Sequence, residues 1–193
     1  MKNSIDPLQL RGQSDSDLVR FAATGSQPAF AELVHRHSAM LRTHLRRMGA
    51  QGADADDMAQ DAFIAAYEHL AEYRFDGPFS AWLKRIAARR YLKKLRANQK
   101  YLLVDDMTPY ESPESGAPEG PKAHNLDAAL GQLRPAERLC VTLNFGGELS
   151  HQDIADELKL PLGTVKSHIK RGLERLKAIL DPQTPTEPVR AGS

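Results

Sequence analysis

The residues of this chain that are best suited to contact an anionic polymer form a run of lysine and arginine. The run contains no acid and has eight members: Lys84, Arg85, Arg89, Arg90, Lys93, Lys94, Arg96 and Lys100. A helix face that is merely solvated normally includes acids, because acids one turn away pair with the bases. Bases without such partners, beside an apolar stripe, indicate a surface that binds phosphates.

Aromatic side chains gather just before this run: Tyr67, Tyr73, Phe75, Phe79 and Trp82. Exposed rings beside a basic surface can stack on unpaired bases. Rings at helical spacing are more often part of a core, and we expect this of Tyr67 and Trp82. Phe75 and Phe79 lie in or beside a Gly-Pro loop and are the candidates for base contact.

A second basic face is predicted near the end of the chain. Ser150 and Asp153 have the spacing of a capping box, and the turn KLPLG separates the helix they start from a final helix. That last helix alternates an apolar set, expected to pack inward, with a polar set, expected to project outward: Val165, Ile169, Leu173 and Leu176 against Thr164, Lys166, Ser167, His168, Lys170 and Arg171. This pattern predicts a helix-turn-helix unit, with a generic helical hairpin as the alternative.

The sequence carries no recognisable catalytic or metal-binding pattern. His35, His37 and His44 do not complete a zinc triad and are expected to be surface or interfacial, and Cys140 is expected to be a core thiol. Phosphate-loop, nucleophile-elbow and dinucleotide motifs are missing. With no membrane-length apolar run and no signal-peptide core, we expect a cytoplasmic protein without metal, cofactor or catalysis of its own.

Helical periodicity and chain breakers place all these residues in an all-α fold of two small domains joined by a flexible linker. The predicted units are a first domain over 1–97, a Pro/Ser/Gly-rich acidic linker over 98–124, a second domain over 125–181 and a disordered tail over 182–193. The first domain is predicted to hold four helices: from Ser14 or Ser16 to Ala23, from Pro28 to Gly49, from Asp54 to Tyr73, and from Phe79 past Leu95. The second is predicted to hold four more: Leu126 to Leu133, Pro135 to Phe145, His151 to Leu158, and Gly163 to Leu180.

Two stretches of the chain resemble a known family. DADDMAQDAFIAAYEHLAEYRFDGPFSAWLKRIAARRYLKKLRA, residues 54–97, resembles conserved region 2 of the extracytoplasmic-function (ECF) sigma factors of bacterial RNA polymerase. LRPAERLCVTLNFGGELSHQDIADELKLPLGTVKSHIKRGLERLKAIL, residues 133–180, resembles their region 4. The resemblance implies a factor that recruits core polymerase to the −10 and −35 promoter elements and helps to melt the duplex.

The resemblance also implies roles for individual residues. Asp57, Gln60 and Asp61, with Phe63 as core support, would bind the clamp helices of the largest polymerase subunit, and the flap region is a further expected contact. The loop and helix that would bind the −10 element supply Arg74, Phe75, Asp76, Phe79, Ser80, Lys84, Arg85, Arg89, Arg90 and Lys93. The final helix would read the −35 element through Thr164, Lys166, Ser167, His168, Lys170 and Arg171. An anti-sigma factor is an expected partner as well.

The chain departs from many relatives at Arg89, where they have Asn, and at Lys93, where they often have Asp. Two alternatives stay open on the sequence. One is a helix-turn-helix regulator that acts without polymerase, against which the acidic predicted third helix argues. The other is a nucleic-acid-processing enzyme. The lack of a metal-binding carboxylate pair beside the basic helix of this chain argues against it.

Overall fold

The computed structural model describes residues 10–97 and 121–181, with side chains from residue 126 onward in the second range. These ranges contain eight α-helices and no strand, which confirms the all-α prediction. The helices are α1 (Asp15–Ala23), α2 (Gln27–Met48), α3 (Gly52–Glu68), α4 (Phe79–Ala97), α5 (Pro121–Gly131), α6 (Pro135–Val141), α7 (His151–Leu158) and α8 (Leu162–Leu180). A 3-10 turn (Leu70–Glu72) follows α3, and a π-helical turn (Thr142–Gly146) follows α6.

The predicted helix ends are confirmed where a capping residue marks them. Ser14 accepts a hydrogen bond from the Asp17 N–H at the start of α1. Gly49 ends α2 with φ 117°, a left-handed conformation that glycine adopts without a Cβ clash. Ser150 and Asp153 form a reciprocal capping box at the start of α7.

Three predicted boundaries were wrong. α3 ends at Glu68 instead of Tyr73, because the tighter 3-10 turn that follows buries Leu70. The helix predicted to reach Phe145 ends at Val141 and widens into the π-helical turn, which leaves Phe145 exposed. α5 begins at Pro121, so the last four residues assigned to the linker are helical; the rest of that linker and the tail lie outside the described residues.

The first domain is built around α2, which packs against α1, α3 and α4. Leu33, Leu41 and Leu45 of α2, spaced at multiples of four residues, are fully buried. Each such leucine stabilises the fold by roughly 1.5–3 kcal/mol relative to an exposed one. This core fixes the outward faces of α3 and α4, which carry the predicted binding residues.

The second domain packs α6 and α7 against α8. Val165, Ile169 and Leu176 of α8 face inward as predicted, but Leu173 is largely exposed. Gly172 permits the close approach of α6, because a Cβ there would lie 2.7 Å from Val141 Cγ2.

The two domains also pack against each other, through α2 and α6. The Arg138 guanidinium donates hydrogen bonds to the carbonyls of Arg46 and Arg47 in the last turn of α2. Carbonyls at a helix end lack intrahelical partners and carry partial negative charge, so an arginine is well matched to them. Arg47 in turn pairs with Asp127 of α5 at 2.6 Å, and Thr142 donates to the Arg47 carbonyl.

Candidate nucleic-acid interface

The loop between the 3-10 turn and α4 is organised by Tyr73. Its buried ring donates an O–H hydrogen bond to the Gly77 carbonyl at 2.6 Å. Burial, with the nearby charges of Asp15 and Asp76, raises the pKa of Tyr73. The Phe75 ring lies 4.8 Å from the Tyr73 ring, centroid to centroid, and is 43% exposed. The structure therefore presents Phe75 to solvent, as predicted for a base-contacting ring.

Phe79 and Tyr67 differ from their predicted exposure to solvent. Phe79 is only 2% exposed and packs edge-on against Tyr73 and beside Trp82, so the prediction that it contacts bases is wrong in this structure. As the first residue of α4, it turns inward to close the domain core. Tyr67, predicted as core, is 42% exposed and rests against Phe30. Trp82 is half-buried against the core, as predicted.

The bases of α4 form a largely accessible face. Arg85, Arg89 and Lys93 are exposed, and Lys84 and Arg90 are half-buried. In the preceding loop Arg74 and Asp76 are exposed and Ser80 is half-buried.

Acids that neutralise part of this face come from other helices. Glu157 of α7 lies 3.1 Å from Arg89 and 3.5 Å from Arg96. Asp54 of α3 lies 2.9 Å from Lys94. The absence of acids within α4 therefore does not leave all of its bases unpaired, because α7 of the second domain packs against this helix.

The outward face of α3 presents Asp57, Gln60 and Asp61 to solvent, while Phe63 is buried behind them as predicted. Among the described residues, no ion pair involves Asp57 or Asp61, unlike Asp56, which lies near Arg42 and Arg46. The exposed carboxylates are thus available to a basic partner.

A groove of about 840 Å³ runs beside this face, between α2 and α3. Its lining is mostly apolar and includes Phe30, Val34 and Ile64, together with the polar Gln60. Ile64 is more than half exposed. An apolar groove with a polar rim on the same face suits a docked protein segment.

The helix-turn-helix unit consists of α7, a turn with Lys159 in the left-handed conformation, and α8. Lys166, Ser167, Lys170 and Arg171 are exposed and Thr164 is half-buried. These five residues lie in the first half of α8, the part of a recognition helix that reaches base edges.

His168 is the exception in this set, because it is buried. It follows Val165 by three residues and precedes Gly172 by four, and therefore lies on the inward stripe of α8. Its Nδ1 is 3.2 Å from the Arg171 guanidinium. The prediction that His168 projects outward is wrong, and the sequence could have indicated this through its spacing from the buried residues.

A buried acid that the sequence did not single out constrains the same helix. Glu137 of α6 is 1% exposed and lies 3.9 Å from Arg171 and 3.4 Å from Arg175. A buried carboxylate is costly unless it is paired, and these two arginines are the cations near Glu137, although neither of its oxygens accepts a hydrogen bond from the described residues. Arg171 therefore serves the fold as well as the proposed DNA face.

Burial also decides the chemistry of the histidines and the cysteine. His44 lies against Gly146 of the second domain, and burial, with the charges of Lys84 and Arg47, lowers its pKa to about 4. It is thus interfacial, as predicted, whereas His35 is exposed. Cys140 is fully buried, which confirms a core thiol, and this burial raises the pKa of the thiol to about 12. Within residues 10–97 and 121–181, no group of three His, Cys, Asp or Glu residues is arranged to hold a metal ion.

Comparison with known proteins defines the class of this fold. The family model for Sigma-70 region 2 matches residues 33–101, and the model for Sigma-70, region 4 matches residues 129–178. The first domain is therefore a sigma region 2 domain and the second domain a sigma region 4 domain. This is the architecture of a transcription initiation factor.

Individual relatives agree along most of the chain. The RNA polymerase sigma factor CnrH of Cupriavidus metallidurans is 32% identical over 87% of this chain and 95% of its own length. The ECF RNA polymerase sigma factor SigW of Bacillus subtilis is 29% identical over 79% of this chain and 89% of its own. The chain belongs to the sigma-70 family of RNA polymerase sigma factors, in its extracytoplasmic-function subfamily.

Solved structures show the same fold. The structure of CnrH in complex with the cytosolic domain of CnrY matches 89% of this chain and 100% of that chain, with 28% identity and a TM-score of 0.52. The sigma factor RpoE in complex with the anti-sigma factor NepR from Bartonella quintana matches 80% and 98%, with 20% identity and a TM-score of 0.55. The helices that the structure describes include none long and apolar enough to span a bilayer.

Proposed function

We propose that the outward face of α3 binds core RNA polymerase through Asp57, Gln60 and Asp61. The observation that carries this proposal is a pair of exposed carboxylates, Asp57 and Asp61, which make no ion pair within the described residues and lie on a helix whose opposite side is buried. The groove between α2 and α3 offers apolar area beside the charges, so a basic, partly apolar helix of the polymerase clamp would contact both. A regulator that acts without polymerase has no need of such a face.

The loop and α4 are proposed to bind the −10 element. Phe75 offers its ring to an unpaired base, and a base held outside the stack offsets part of the few kcal/mol that melting costs. Arg74, Asp76 and Ser80 flank that ring, and Lys84, Arg85, Arg89, Arg90 and Lys93 supply the charge that neutralises phosphates. Phe79 supports the loop from the core and is not proposed as a contact.

The second domain is proposed to bind the −35 element through α8. Thr164, Lys166, Ser167, Lys170 and Arg171 are placed to enter a major groove or to contact its phosphates. His168 would not contact DNA itself and would instead support the Arg171 side chain by packing against it. The polymerase flap region is proposed as a further contact of this domain.

A protein inhibitor is proposed as a second partner. The two solved neighbours are bound to CnrY and to the anti-sigma factor NepR. We also propose that the chain performs no chemistry itself and acts in the cytoplasm, where its polymerase partner is.

The proposal is tested by reconstitution with sigma-free core polymerase. The double variant Asp57→Arg with Gln60→Ala is expected to lose co-purification with core polymerase and run-off transcription from candidate promoters. Asp156→Arg, an exposed position on α7, is the charge-matched control and is expected to retain both. Unchanged co-purification of the double variant would move the function toward a polymerase-independent regulator.

A further inference from the structure

Helix α1 contributes a cation to the loop that presents Phe75. The Arg20 guanidinium carbon lies 5.3 Å from the centroid of the Phe75 ring. The match to sigma region 2 begins at residue 33, so α1 and Arg20 lie outside it. Nothing in the sequence linked the two residues, which are far apart in the chain.

The Phe75 ring lies between two groups. Tyr73 contacts it at 4.8 Å between centroids, and Arg20 lies over its ring within cation–π range. Phe75 also has φ 59°, a left-handed conformation that is unfavourable for a bulky side chain. Such a conformation persists when its surroundings impose it, and it is most common at binding sites.

Arg20 is held in place by its own helix. Its guanidinium lies 3.2 Å from Asp17 Oδ1, and Ser14 donates a hydrogen bond to the other oxygen of Asp17 at 2.7 Å. α1 is in turn fixed to α2, because Asp15 accepts from Arg36 at 3.1 Å and lies 2.8 Å from His37 Nε2. The Arg20 side chain is nevertheless 67% exposed, so its guanidinium has a defined position and is still accessible to a ligand.

An exposed ring with an arginine beside it is the pairing that binds single-stranded nucleic acid. The ring stacks on a base, and the arginine contacts the adjoining phosphate or stacks as well. We propose that Arg20 is a further DNA-contacting residue of this sigma factor and pairs with the phosphate next to the base that Phe75 receives. The inference rests on the proposed function of the Phe75 loop.

The test uses holoenzyme reconstituted from core polymerase and the full chain. The probe is a fluorescent template whose −10 segment is single-stranded, taken from a promoter mapped with the wild-type factor. Anisotropy titrations across a range of KCl concentrations compare wild type with Arg20→Ala, Arg20→Lys and Arg11→Ala. Arg11 is exposed ahead of α1 and gives the same change of charge.

Arg20→Ala is expected to weaken binding at least about tenfold at 0.1 M salt, the effect of losing one charge-assisted contact. It is also expected to lower the slope of log K against log salt by about 0.7, the value for one phosphate of a single strand. Arg20→Lys is expected to keep the slope, and Arg11→Ala to match wild type.

Equal affinities and slopes for Arg20→Ala and Arg11→Ala would overturn the inference. A loss of affinity with an unchanged slope would also overturn it, because Arg20 would then only support the Phe75 ring. Thermal unfolding of each variant shows whether the fold is intact, and Arg20→Lys gives an independent reading if Arg20→Ala is unstable. Failure of the wild-type factor to form a holoenzyme at all would instead refute the proposed function.

Discussion

Lowering the pH from 8 to 5 is expected to destabilise the first domain through His44. Burial holds the His44 imidazole neutral, with its pKa lowered from 6.5 to about 4. Between these values the unfolded chain binds a proton that the folded chain excludes. The stabilising contribution is therefore complete above pH 6.5, falls as the pH drops through 6.5, and stops falling near pH 4. At pH 5 the linkage amounts to about 2 kcal/mol.

The assay is urea unfolding followed by the fluorescence of Trp82, the single tryptophan, which lies in the same domain. Wild type is compared with His44→Leu, which removes the titrating group, and with His35→Gln, which removes an exposed histidine of the same helix. The wild-type and His35→Gln chains are expected to lose about 2 kcal/mol more between pH 8 and pH 5 than His44→Leu. Equal losses in all three chains would refute the assignment of His44 as a buried neutral group.

Three further predictions concern the second domain. Gly172→Ala is expected to destabilise it by about 1–3 kcal/mol in thermal unfolding, because the added methyl group would overlap a side chain of α6. Gly163→Ala, earlier in the same helix and with open space around it, is expected to be neutral or stabilising, and a similar loss in both would contradict this account. Cys140, buried and with its pKa raised to about 12, is expected to react with a thiol reagent only as fast as the domain unfolds; immediate labelling of the native chain would refute its burial. Glu157→Gln is expected to increase the distance between the domains in solution scattering, while Asp156→Asn on the same helix leaves it unchanged.

Local signals predicted the helices and their caps well, because a cap depends on residues within one turn. Ser150 with Asp153 and Gly49 marked helix ends that the structure reproduces. The 3-10 and π-helical turns were missed, since both depend on which side chains tertiary packing draws inward. Most of the outward face of α8 was also predictable from charge and spacing, whereas the binding residues of α3 came from the family resemblance.

Residues that act across the fold could not be predicted in this way. Arg20 and Phe75 meet because α1 packs beside the loop, and Glu157 reaches Arg89 only because the second domain lies on α4. Neither contact produces a periodic pattern in the sequence from which it could be predicted. Phe79 was misassigned for the same reason. The composition of the loop does not show which of two nearby rings, Phe75 or Phe79, will be buried in the core.

The packing of the second domain on the first limits what the chain can reach. Promoter elements 25 base pairs apart are separated by about 85 Å along the duplex axis. In this structure α7 packs against both α4 and α8, so the two proposed DNA faces are separated by a few helix diameters of about 10–12 Å each, much less than the separation of the elements.

Engaging both elements therefore requires the domains to part, with loss of the Arg138 and Glu157 contacts. Residues 98–120, at no more than about 3.5 Å each, span at most about 80 Å, which is comparable to the separation of the two elements. Apparent promoter affinity is then the intrinsic affinity multiplied by the open fraction, so a chain that is open one-tenth of the time binds about tenfold more weakly than its DNA contacts allow. A partner that favours the open arrangement would recover up to this tenfold in apparent affinity without touching DNA, and a partner that favours the closed one would lower the affinity further.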